Sequence, residues 1–130
     1  MTSETLVLIP ETVYGVPSGN YDGSSSDWYG SAVKAVNYYR GLGHVETVWI
    51  NVDSFQGLLT IQATVDRLPG QPEDIDWETS TNWINLDSFG DVSSVVTDYR
   101  PITVLGNYTW LRMRVQGFAA GTIRMVNLTY

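Results

Sequence analysis

The residues that could do chemistry in this chain are few, and their spacing decides what each can do. His44 is the only histidine and there is no cysteine. A Ser–His–Asp triad would have to use His44, which sits in GLGHVE at a strand edge, and no G-x-S-x-G nucleophile elbow accompanies it. A zinc site lacks ligands of the usual kind. The carboxylates Glu73, Asp74 and Asp76 fall in RLPGQPEDID. A glycosidase pair would need two carboxyl groups fixed roughly 5–10 Å apart across a cleft, whereas acids in a Pro/Gly-bounded loop read as a solvated cluster. Asp22 and Asp27 flank a Ser-rich loop, but their spacing does not follow a calcium-loop pattern. GLG (41–43) lacks the further glycine and the lysine of a phosphate loop. The expectation is a protein that is not an enzyme and carries no cofactor and no metal.

A second set of residues recurs with a pattern. WINVDSF (49–55) returns as WINLDSF (83–89), and WLRMRV (110–115) follows the same plan with other polar residues. Strand alternation puts Ile50 and Val52 on one face, with Trp49, Asn51 and Asp53 on the other. The same rule separates Ile84 and Leu86 from Trp83, Asn85 and Asp87. It separates Leu111, Met113 and Val115 from Trp110, Arg112 and Arg114. The intervals between copies are unequal, so this is one strand plan used repeatedly and not a tandem repeat. The aliphatic face makes the core. The tryptophans either cover strand ends and pack under loops, or form a contact surface, since exposed Trp is favoured at binding hot spots. Trp49, Trp83, Trp110, Arg112 and Arg114 are therefore the candidates for an interface or a glycan platform. Asn51, Asp53, Asn85 and Asp87 would supply the polar groups that a sugar needs.

The elements that must position these residues are strands. TLVLIP (5–10) is an apolar run closed by proline. VPSGNYDGSSSD (16–27) is an exposed loop. WYGSAVKAVNYYR (28–40) fits a helix face or alternation, and the extended reading is preferred. VETVWINV and LLTIQATV are joined through DSFQG, where Gly57 predicts a hairpin. DWETSTNWINL, closed by SFGD, precedes VSSVVTDY and ITVL, which Arg100–Pro101 separates. YTWLRMRVQGF and GTIRMVNLTY turn at Gly and Ala. Eight or nine short strands and almost no helix predict an all-β, single-domain β-sandwich, jelly-roll-like, spanning 1–130.

Composition narrows the partners. Seven basic residues against fourteen acidic ones give a net charge of −7 and a pI near 4.3. This balance argues against nucleic acid and against an anionic membrane surface, and no segment predicts membrane insertion. Five Trp and eight Tyr are many for 130 residues, and aromatic residues in this number enlarge a small core or cover an interface. No basic leader is present at the N-terminus, which predicts a soluble, intracellularly made protein.

Two segments, HVETVWINVDSFQGLLTIQATV (44–65) and GNYTWLRMRVQGFAAGTIRMVNLTY (106–130), resemble short β-rich virion structural proteins of tailed bacteriophages, as in phages of cyanobacteria and marine bacteria. The resemblance rests on Phe55, Gly57 and Ile61–Thr64, on Gly106–Arg112 and Phe118–Ile123, and on the acidic stretch Asp74–Trp77. It implies a non-enzymatic structural protein, made in the host bacterial cytoplasm and located in the virion. Such a protein assembles in multiple copies as a head decoration or tail/neck accessory subunit, with itself and other virion proteins as partners. Leu6, Val7, Leu8 and Ile9, within residues 1–10, would then form an arm that adds a strand to a neighbour, or belong to the chain's own sheet. A carbohydrate-binding module that attaches to host surface glycans is the alternative.

Overall fold

The computed structural model describes residues 5–36, 45–65 and 83–130. His44, the Glu73–Asp76 cluster, the Asp74–Trp77 stretch and residues 37–40 lie outside the described residues.

Strand β1 (Thr5–Ile9), β2 (Thr12–Val13), β3 (Trp28–Tyr29), β4 (Val33–Lys34), β5 (Val45–Thr64), β6 (Ile84–Leu105) and β7 (Trp110–Thr129) form one antiparallel sheet. β5 lies in the middle, between β6 and β7. The four short strands pair one after another with the far side of β7, from Thr5↔Thr129 to Lys34↔Trp110. Together they act as one interrupted strand, broken by the 14–27 excursion. Among the described residues no helix is long and apolar enough to cross a membrane.

Among the described residues there are seven strands where eight or nine short ones were expected over the chain, and three of them run 20, 22 and 20 residues. The hairpin predicted at Gly57, the strand end expected at SFGD and the turn expected at the Gly/Ala pair of the C-terminal region are corrected by this geometry. At each place the strand continues and bends. Pairing slips between Val52 and Gly57 on one side of β5, and between Asn51 and Leu58 on the other. Ser54 takes φ of 51° and Gly121 takes φ of 89°. A β-bulge therefore forms where a turn was expected. A Cβ on Gly121 would collide with the Ser54 carbonyl of the adjacent strand, so the bends of β5 and β7 can nest only around a glycine. Pro101 stays within β6 because β6 is an edge strand, where a missing N–H costs no ladder bond.

The shared bend divides the sheet into two arms. The first holds 45–53, 97–105 and 122–129 with β1 and β2; the second holds 57–64, 84–91 and 110–116 with β3 and β4. Both arms contribute to one apolar cluster, from Leu8, Ile50, Val52 and Leu128 to Leu59, Ile61, Leu111 and Met113. Phe55, Phe118, Tyr21 and Trp28 fill the crease, with ring centroids 5.1–6.3 Å apart around Phe118. The arms meet where Ser31 N–H donates to the Leu8 carbonyl at 3.2 Å. Gly30 has no room there for a side chain against Leu8 and Ile9.

Leu8 and Ile9 are fully buried in the chain's own core, while Leu6 is half-buried and Val7 exposed. Within a single chain, the own-sheet alternative describes this segment. The 16–27 loop is mostly exposed yet anchored: Tyr21 is buried, and Asp22 accepts the backbone N–H groups of Ser24 and Ser25 and the Ser25 hydroxyl. These bonds hold its carboxyl down to about 2.

Candidate functional site

On the outer face of the first arm, alternation turns Trp49, Asn51 and Asp53 away from the core. Pairing places Trp49 between Asn127 and Pro101, and Asn51 between Met125 and Tyr99. Trp49, Asn51, Tyr99, Arg124, Met125 and Asn127 line an open groove of about 350 Å³. The Trp49 and Tyr99 rings lie 5.6 Å apart and are tilted by 56°, with Tyr99 64% exposed. Arg124 Nη2 contacts Asp53 Oδ2 at 2.9 Å, which fixes the guanidinium at the rim. Thr97 Oγ1 donates to Asp53 Oδ1 at 3.3 Å. Asn127 Oδ1 is buried and has no hydrogen-bond partner in the protein.

The outer face of the second arm is built differently. Arg112 Nε donates to Gln62 Oε1 at 2.8 Å, and Gln62 Nε2 donates to Asn85 Oδ1 at 2.9 Å. This ladder crosses three adjacent strands. The Arg112 guanidinium lies over the Tyr29 ring at 4.0 Å and over the Trp83 ring at 4.3 Å. Only 3% of the residue is exposed. Arg114 approaches the other reach of Tyr29, at 5.7 Å. Charge, planar amide and aromatic faces here satisfy one another.

The five candidates thus separate. Trp83, Arg112 and Arg114 gather on the second arm. Trp49 stands alone on the first, toward the other end of β5. Trp110 is 5% exposed and pairs between Lys34 and Thr64. The three tryptophans do not converge in one groove. The strand plan holds for Ile50, Val52, Leu111, Met113 and Val115, all buried, but Ile84 is 49% exposed and Leu86 only partly buried. The reason is position: Ile84 begins the edge strand, at the rim of the sheet.

Tyr99, Arg124, Met125, Asn127, Tyr29 and Gln62 were not singled out by sequence. For Tyr99 the obstacle was the break expected at Arg100–Pro101; with β6 continuous, the Asn51↔Tyr99 pairing follows. Asp22 and Asp27 are engaged in local structure, Asp27 accepting the Gly117 N–H at 2.9 Å.

Among the described residues one carboxyl group lies inside. Glu46 is 1% exposed and accepts the Val36 N–H on Oε1 at 2.6 Å, while Oε2 is buried without a hydrogen-bond partner. Burial pushes its carboxyl up to about 7, opposed by the Val36 hydrogen bond.

Compared with known protein families, with curated proteins and with solved structures, the chain gives no match.

Proposed function

We propose that this chain is a non-enzymatic structural protein of a tailed-phage virion, assembling in multiple copies as a head decoration or tail/neck accessory subunit. In this reading the creased sheet serves as a sandwich-like, jelly-roll-like unit, and its edge makes the contacts. The observation that supports assembly is β6. Among the described residues it pairs with β5 alone over 22 residues, and it exposes Ile84, Val92, Val95 and Leu105 alongside the charged Asp87, Asp91 and Arg100. Such a long edge offers unpaired N–H and C=O groups to another chain. The tailed-phage assignment itself rests on the resemblance at Phe55–Thr64 and Gly106–Ile123. The net charge of −7 suits a subunit that must not adhere to packaged nucleic acid.

The test has two parts. Light scattering on the full chain is expected to give a concentration-dependent oligomer, and Val95→Lys with Leu105→Lys is expected to return it to the monomer. In the cells that produce it, the protein should co-sediment with virion particles through a density gradient. A chain found only in the soluble fraction overturns virion membership. An oligomer indifferent to both lysines overturns the β6 edge as the contact.

A further inference from the structure

We infer that the groove of Trp49, Asn51, Tyr99, Arg124, Met125 and Asn127 is a binding site for a neutral saccharide, with Trp49 and Tyr99 as its platform. The inference concerns a site separate from the β6 edge contacts of Val95 and Leu105, and it stands whether or not the chain assembles.

Four features specify the ligand class. The first is shape: about 350 Å³ in an open trough falls at the small end of the ~300–1,000 Å³ range of small-molecule sites. A short saccharide fits such a trough and a folded partner does not. The second is the ring pair. Trp49 and Tyr99, tilted by 56° and 5.6 Å apart, both line the groove. The negative face of an aromatic ring attracts the polarised C–H groups on the apolar side of a pyranose.

The third feature is the pair of amides. Asn51 and Asn127 lie diagonally across the β5–β7 pairing, each carrying donor and acceptor atoms, as vicinal hydroxyls require. The fourth is charge. Arg124 is the one ionisable cation in the lining, and Asp53 holds it at 2.9 Å. The ion pair leaves no net charge at the rim, and a chain of net charge −7 repels acidic polysaccharides. The ligand is therefore hydroxyl-rich and uncharged, and it needs no metal bridge.

The site is tested on the full chain by isothermal titration and tryptophan fluorescence with maltohexaose, cellohexaose and chitohexaose, with dextran sulfate as the anionic comparator. At least one neutral hexasaccharide is expected to bind and to change the tryptophan emission. Tyr99→Ala, at an exposed position that leaves the core intact, should weaken that binding by ~10-fold or more, and so should Asn127→Ala. Val95→Lys, on the β6 edge, should leave it unchanged. Failure of all three neutral sugars at millimolar concentration overturns the inference. So does binding of dextran sulfate alone, or neutral-sugar binding that Tyr99→Ala does not weaken. Loss of the oligomer in Val95→Lys with sugar binding retained would separate this site from the assembly contact.

Discussion

The two outer faces of the sheet start from the same strand plan and finish as different surfaces. On the first arm, Trp49 leans toward Tyr99 and leaves a trough open beside two amides. On the second, Trp83 and Tyr29 close over Arg112, and the ladder through Gln62 to Asn85 uses the polar atoms internally. What separates them is a cation at the centre. A guanidinium between two rings draws them together, and the result is a sealed, self-satisfied layer. Where the arginine stands at the rim and is held by an acid, the two rings meet each other directly and stay accessible. Aromatic content alone therefore does not mark a binding face; the placement of the nearest charge does.

The comparison can be broken at three levels. The largest effect is expected where the faces share support. Phe118 is 2% exposed, and the rings of Tyr14, Tyr21, Trp28 and Phe55 surround it in the crease. Phe118→Ala should cost about 3–5 kcal/mol and weaken both arms together, read as a lowered urea midpoint. Next comes the contrast between two arginines. Arg112→Ala removes a buried stacked charge and strands Gln62, and should cost about 2–4 kcal/mol. Arg124→Ala removes an exposed ion pair and should change stability by less than about 0.5 kcal/mol. Equal losses at the two positions would abolish the distinction between a sealed and an open face.

The third test is pH. The Glu46 carboxyl is raised in the folded chain from 4.5 to about 7 by burial, so the folded state holds its proton where the unfolded state has released it. Stability from this group is complete below 4.5 and is lost as pH rises toward about 7. Unfolding midpoints should therefore fall between about pH 5 and about pH 8. Glu46→Gln should flatten that fall, keeping the acceptor for the Val36 N–H. A steeper fall in the variant would reverse the assignment.

Much of the core was legible because alternation is local. Ile50, Val52, Leu111, Met113 and Val115 could be placed inside from two-residue periodicity alone. The bends were not legible as bends. A glycine or serine at positive φ after an alternating run is the signature of a hairpin and also of a bulge, and only the partner strands decide between them. Once each expected break is a crease in a long strand, the recurring W…F motif has a physical account. Trp49, Trp83 and Trp110 stand at or near the beginning of a strand segment, and Phe55, Phe89 and Phe118 turn into the core as the bend approaches. The grooved face was hidden for the same reason. Asn51 meets Tyr99 and Met125 only through long-range pairing, to which neither composition nor spacing gives access. Glu46 was not singled out, since nothing in VETV shows that the strand begins with that side chain turned inward.

The nested creases also set where the chain can tolerate a change of length. Because side chains alternate, removing one residue between Trp49 and Gly57 would turn every later β5 side chain over, driving Gln62 and Thr60 inward and Ile61 out. The neighbouring bends would no longer coincide, and Gly121 would face a different carbonyl. A deletion there could be rescued only by matched deletions in β6 and β7. The 14–27 excursion is tied to the sheet only near its ends and at Tyr21, through the Tyr14 N–H on the Gly121 carbonyl and through Ser26 and Asp27 on the Phe118 and Gly117 N–H groups, and an added residue beside Ser24 changes no strand register. Insertions and deletions should thus accumulate in that loop, while the three creased segments keep a common, fixed count.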